Sequence, residues 1–247
     1  MRIAICGAAN TGKTTLVNSF LYTWKNYKTP ESTYRNIIQE EELEHSTNTT
    51  TDIQTKILES LIKQQKDNSR GDSKVIHDRC SLDALAYTMW CYGKQKDGFD
   101  TAYVETQIEQ VKESMRTLDI IFLSKFDKSQ VPEENGVRET DIEYIAEIDN
   151  IYESLYQQYF QHGDSDVFFP KDDSPAIIVL PHNAQARIDL IADYITPDGE
   201  LHGEENSILS PENIKELEQL VQHQQAVHEE EQANMKLQEE MDKKFKL

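Results

Sequence analysis

The 247-residue sequence has only three cysteines, Cys6, Cys80 and Cys91, and no pair at C-x-x-C spacing. So sparse and odd a set excludes a disulfide framework and argues for reduced thiols in a cytoplasmic setting. Two of the three lie in apolar runs and read as small core residues. No segment approaches the 18 apolar residues of a membrane-spanning helix, so no membrane partner is expected. The opening Met1–Cys6 runs straight into glycine, without the longer apolar stretch and cleavage site of a signal peptide. Positive charge is also short: 25 Lys and Arg stand against 45 Asp and Glu, a formal net charge of −20. Tight binding to long nucleic acid needs many basic contacts and is disfavoured.

What is there alternates between strand-like and helix-like segments. Arg2–Cys6, Lys74–Asp78, Leu118–Leu123 and Ala176–Leu180 read as buried parallel strands, with Tyr27–Glu31 a fifth candidate cut by Pro30. Helical spacing of apolar residues marks Lys13–Lys25, a segment capped at Thr50–Asp52, Leu82–Trp90, Tyr103–Met115, Asp141–Phe160 and Ala184–Ile195. Gln64–Asp72 and Ser124–Arg138 read as polar loops. This order predicts an α/β three-layer sandwich: a five-stranded parallel sheet with helices on both faces, a helical lid and a C-terminal helical tail. The expected divisions are a domain over 1–196, a linker over 197–209 and an acidic helical tail over 210–247. The tail start carries Ser210 as cap and Pro211 at the first helical position.

One motif carries specific chemistry. Gly7-Ala8-Ala9-Asn10-Thr11-Gly12-Lys13-Thr14 follows a predicted strand and opens a predicted helix, the setting of a phosphate-binding loop. Its glycines let successive backbone N–H groups turn toward phosphate oxygens, and the helix N-terminus adds favourable partial charge. Gly7, Asn10, Thr11, Gly12, Lys13, Thr14 and Thr15 are therefore the expected nucleotide-binding residues. Lys13 would reach the terminal phosphates and Thr14 would hold Mg²⁺ through its hydroxyl.

Other charged residues fall where an open parallel sheet places ligands, at strand carboxyl ends. Asp78 would hold Mg²⁺ directly or through water, or else cap the following helix; Arg79 would neutralise a transferred phosphoryl group or sit in a surface ion pair. Glu31 would serve as base for an attacking hydroxyl, or is an exposed acid. Tyr34 and Arg35 follow it and would meet an acceptor. Arg138 would close over the transition state from its loop, helped by Lys125 and Lys128, or belongs to a solvated charge cluster. The tyrosines Tyr144, Tyr152, Tyr156 and Tyr159 read as helix packing, and His162, His182, His202, His223 and His228 as surface residues.

Together these motifs resemble the nucleoside and nucleotide kinase branch of P-loop proteins. The carriers are Lys13-Thr14-Thr15, Asp78-Arg79 followed by Asp83 and Ala86-Tyr87, Gly136-Val137-Arg138, and Ala186-Arg187-Ile188 after Ala176–Leu180. The nearest likeness is to AAA-type domains related to thymidylate kinase, deoxynucleoside kinase and ribosylnicotinamide kinase, over residues 1–196. The resemblance implies that Asp78 assists Mg²⁺, Arg79 contacts the transferred phosphate, Glu31 is the base, Arg138 is the lid arginine, and Asp83 and Tyr87 contact the acceptor. Cys80 stands where this signature has serine. It implies ATP and Mg²⁺ as cofactors and γ-phosphoryl transfer to a nucleoside or nucleoside monophosphate. Two other readings stay open: a kinase of a hydroxymethyl pyrimidine base in DNA, of the 5-hydroxymethyluracil type that related enzymes of bacterial viruses modify, and a nucleotide-dependent ATPase acting as an assembly switch. Whether the chain works as a homodimer stays open too.

Overall fold

A computed structural model describes residues 1–30, 48–69, 73–127, 141–161 and 167–202. Four parallel strands form one sheet: β1 (Arg2–Cys6), β2 (Val75–Asp78), β3 (Ile120–Ser124) and β4 (Ala176–Leu180), in the order β2-β1-β3-β4. The fifth segment expected at Tyr27–Glu31 contributes a single bridge, Lys28 to Val75, among the described residues. The helices are α1 (Lys13–Thr23), α2 (Thr51–Asp67), α3 (Ser81–Gly93), α4 (Thr101–Met115), α5 (Ile142–Gln161) and α6 (Ala184–Tyr194).

Alternation along β1 explains the layers. Ile3 and Ile5 face α1 and α6, where Leu16, Val17, Phe20, Trp24 and Ile191 join Ile76, Ile120 and Phe122 in one core. Ala4 and Cys6 face the opposite way and, with Ile121, Leu123 and Ile177, meet residues from α2, α3, α4 and α5. Both faces of the central strands are covered, so they read as continuous apolar runs.

Short polar side chains fix where the helices start. The Thr50 hydroxyl accepts from Ile53 N at 3.4 Å, Asp100 from Tyr103 N at 2.8 Å, Asp141 from Glu143 N at 3.0 Å and Tyr144 N at 3.1 Å, and Asn183 from Gln185 N at 2.9 Å and Ala186 N at 3.0 Å. The helix α2 runs further than expected, continuing to Asp67 through residues expected to be loop. The cause is Gln65, which is buried and bonded on both ends of its amide. Its Nε2 donates to Ser114 O at 3.2 Å and its Oε1 accepts from Ser81 N at 2.8 Å. Tertiary hydrogen bonds here outweigh the polar composition.

The chain divides into two compact units, Met1–Glu200 and Leu201–Leu247. Pro197 to Glu200, expected to open the linker, belong to the first unit, next to Thr196. Trp24 Nε1 donates to Thr196 O at 2.8 Å, Tyr27 Oη donates to Gly199 O at 2.9 Å, and Thr196 N donates to Glu200 O at 2.8 Å. The expected tail over 210–247 lies outside the described residues.

Asp119 ties three strands at their amino ends. Its carboxylate accepts from Arg2 N at 2.6 Å and from the Arg2 guanidinium, while its backbone bonds to Arg2 O at 2.9 Å and to Ala176 N at 2.9 Å. Burial alone would raise its pKa, but the hydrogen bonds and charge of Arg2 outweigh this and hold it below its ordinary value. A carboxylate depressed in the folded state stabilises the fold above its unfolded pKa, and that contribution is lost as pH falls through the folded value. Asp119→Asn should therefore lower stability by about 1–2 kcal/mol at pH 7, and the gap from wild type should close below about pH 4 in urea unfolding titrations.

Candidate functional site

The phosphate loop spans the turn from β1 to α1, and its path depends on Gly7. That residue adopts φ +141°, and a Cβ there would fall 2.2 Å from Ser124 O at the end of β3. Only glycine allows the loop to pass this close to a neighbouring strand. Asn10 and Gly12 also take positive φ, 58° and 79°, which turns the chain into α1. The loop is pinned from outside at one carbonyl: Thr11 O accepts from Ser124 Oγ at 2.8 Å and from Arg187 Nη1 at 2.6 Å. Arg187 also donates to Pro181 O at 2.7 Å and is 7% exposed. Burial pulls its pKa below the ordinary value.

Lys13 is buried and folds back over the loop, donating to Ala8 O and to Thr11 Oγ1 at 3.3 Å. Burial, with Arg79 nearby, lowers its pKa to about 7 against the opposing pull of Asp83, Asp78 and Cys6. Thr14 Oγ1 donates to Asp78 Oδ2 at 2.6 Å, joining the loop to the end of β2. The second carboxylate oxygen of Asp78 is buried and has no hydrogen-bond partner among the described residues. An orphaned carboxylate oxygen beside a threonine hydroxyl is an oxygen-rich donor set that fits a small divalent cation. Thr15 is exposed at the head of α1.

Arg79 sits next to this pair and is 6% exposed. Its φ is +85°, a left-handed conformation that costs a residue with a Cβ roughly 1–2 kcal/mol. The conformation is held by Arg79 N donating to Ile5 O at 3.0 Å and by Nη1 donating to Asp83 Oδ1 at 3.1 Å. The guanidinium carbon lies 5.9 Å from the ring centre of Tyr87. Asp83 itself is 2% exposed: besides Arg79 it accepts from Tyr152 Oη at 2.7 Å, Cys80 N at 2.9 Å and Gly7 N at 3.4 Å. It faces the loop and Arg79 from the protein interior. Cys80 places its sulfur 3.1 Å from that of Cys6, and both are buried. Burial, Cys80 and Asp83 together push the Cys6 thiol well above its ordinary pKa.

Among the residues expected from sequence, Gly7, Asn10, Thr11, Gly12, Lys13, Thr14 and Thr15 lie along the loop and the head of α1, Asp78 and Arg79 at the end of β2, and Asp83 and Tyr87 on α3. Glu31, Tyr34, Arg35, Lys128 and Arg138 lie outside the described residues. Lys125, expected to help Arg138, is in an ion pair with Glu153 of α5. His182 and His202 are exposed. Three residues at this site are not among the expected site residues: Ser124, Arg187, which the sequence offers only as part of the resemblance, and Tyr152, read as helix packing. Only Arg187 left a signal, since its spacing of four from Ile191 puts a charge in the buried stripe of α6.

A family model described as an AAA domain matches residues 2–163, more than half of the chain. No curated protein matches it. Among solved structures, the deoxyadenosine kinase of M. mycoides with the products dCMP and a flexible dCDP bound is similar at TM-score 0.56 and 19% identity, over 78% of this chain and 97% of that one. The same enzyme with bound dATP gives 0.53, again at 19% identity and over 78% of this chain and 98% of that one. The NadR protein in complex with NR gives 0.54 at 15% identity, over 78% of this chain and 50% of that one. At these identities the likeness is one of fold, and it is the P-loop α/β fold expected from the sequence. The loop, its helix and the Asp78-Arg79 strand end all lie inside the matched span, and the chain belongs to the AAA domain family.

Proposed function

We propose that this chain is a kinase that transfers the γ-phosphoryl group of ATP to a nucleoside or nucleoside monophosphate. The observation that carries the reading is the convergence of Lys13, Thr14, Asp78 and Arg79 around one phosphate loop, with Thr14 and Asp78 in direct contact at 2.6 Å. A pure nucleotide-binding site needs the loop and its lysine. A buried arginine held in a left-handed conformation beside them is an added cation, aimed by strain where negative charge builds during transfer. The similar structures support the acceptor class, because one holds dCMP and another holds NR.

In this reading the loop amides and Lys13 bind the donor phosphates, and Arg79 stabilises the γ-phosphoryl group as it moves. Mg²⁺ held by Thr14 and Asp78 would screen charge on the donor phosphates. Acceptor oxygen attacks the γ-phosphorus, a P–O bond forms, the bond to the β–γ bridging oxygen breaks and ADP leaves. For a hydroxyl acceptor the proton goes to a base, for which Glu31 is proposed; a monophosphate acceptor already presents an anionic oxygen. Catalysis is then positioning and charge stabilisation, with little covalent chemistry for the protein itself.

Labelled γ-phosphate should pass from ATP to a nucleoside or a nucleoside monophosphate when both classes are offered, with hydroxymethyl pyrimidine DNA as a third arm. Label on the DNA alone, or steady ATP hydrolysis with no label on any acceptor, overturns the proposal. Glu31→Gln should slow transfer to a hydroxyl acceptor by about 100-fold or more, and an unchanged rate removes Glu31 as the base. A pH series gives a third expectation. Phosphate binding favours the charged form of Lys13, whose pKa in the free chain is about 7. Above that pH, binding must take up a proton, so the Kd of a non-hydrolysable ATP analogue should rise by up to about tenfold per pH unit between pH 7.5 and 9. Lys13→Arg, charged throughout, should flatten that slope in calorimetric titrations.

A further inference from the structure

Helix α5 carries three polar side chains on one face, of which Tyr152 reaches the site. Asp149, Tyr152 and Glu153 stand at i, i+3 and i+4, the spacing that aligns side chains along a helix. Asp149 accepts from Phe126 N at 2.9 Å, and Glu153 pairs with Lys125, so both hold the chain just beyond β3. Tyr152 reaches further in. It is 1% exposed, its ring lies in the core shared with Leu82, Leu123 and Leu155, and its hydroxyl donates to Asp83 Oδ1 at 2.7 Å.

The same carboxylate oxygen receives Arg79 Nη1 at 3.1 Å and Gly7 N at 3.4 Å. Its partner oxygen receives Cys80 N at 2.9 Å. Asp83 thus joins the first glycine of the phosphate loop, the strained arginine and α5 in one buried group. Four donors on two oxygens leave the carboxylate little rotational freedom. The direction in which it pulls the guanidinium is set by all of them together. Tyr152 is the donor that arrives from outside the loop and its adjoining strand ends.

We propose that Asp83 and Tyr152 are a positioning pair that sets the Arg79 guanidinium for phosphoryl transfer, so that α5 fixes the aim of a cation it does not itself carry. This deepens the kinase reading and rests on it. Neither residue touches the reacting atoms; Asp83 acts through Arg79, and Tyr152 acts through Asp83.

Replacing Asp83 removes the partner of a buried arginine and endangers folding, so the test uses Tyr152→Phe, which keeps the ring and deletes one hydroxyl. Its kcat should fall about tenfold while KM for ATP stays within about twofold. In an Arg79→Lys background the same change should have little further effect, because the group being aimed is gone and the two effects are not independent. Thermal unfolding of each variant separates this from loss of fold. A Tyr152→Phe protein with wild-type kcat per folded molecule, whatever its Tm, overturns the positioning role and leaves the kinase reading standing. So do effects of Tyr152→Phe and Arg79→Lys that simply multiply. A wild-type chain that labels no acceptor overturns both.

Discussion

The close passage of Gly7 beside Ser124 is the constraint on which the site depends. Backbone meets backbone there at a distance that leaves no space for a Cβ, so the loop is laid directly on the end of β3. From that contact the rest follows. Ser124 Oγ and Arg187 Nη1 both donate to Thr11 O, so two separate elements hold one carbonyl of the loop. The loop is thereby organised by its neighbours rather than by the ligand it is shaped to receive, which reduces the ordering cost of binding.

The electrostatics are local. A chain of formal charge −20 repels anions at long range, yet Lys13, Arg79 and Arg187 are gathered and buried within a few residues of one loop. Burial weakens the hold of Lys13 and Arg187 on their protons and, with Arg79 nearby, brings the Lys13 pKa down to about 7. Asp78 and Asp83 divide the opposing work. Asp78 keeps one oxygen uncommitted beside Thr14, whereas Asp83 spends both oxygens on donors that fix the loop, the arginine and the helix cap. Two carboxylates five residues apart are therefore given different tasks by the number of donors around each.

The phosphate loop was legible because its chemistry lies in consecutive residues and its glycines are required by geometry. The layered fold was legible because β1 and β3, the central strands, are covered on both faces and so read as apolar runs. What escaped is what comes from far along the chain. Ser124 meets Thr11 across 113 residues, Arg187 across 176, and Tyr152 meets Asp83 across 69. Tyr152 is the instructive case: its place in an apolar stripe correctly implies packing, but nothing in the stripe reveals which polar group its hydroxyl will find. Asp83 is the converse. Its neighbourhood in sequence suggests contact with an acceptor; the four donors it holds, Arg79 and Tyr152 among them, are seen only in the fold.

The two tryptophans stand on opposite sides of the sheet. Trp24 is buried in the α1 and α6 layer with its indole N–H on Thr196 O, whereas Trp90 lies in the α3 and α5 layer, bonded to Glu147 and flanked by Lys94 and Lys96 at 5.7 Å. One ring is dry and the other lies among charged groups, so their emission maxima should differ. The chain thus carries its own pair of fluorophores, one for each half of the sandwich, and the order in which the halves come apart can be watched without attaching a dye.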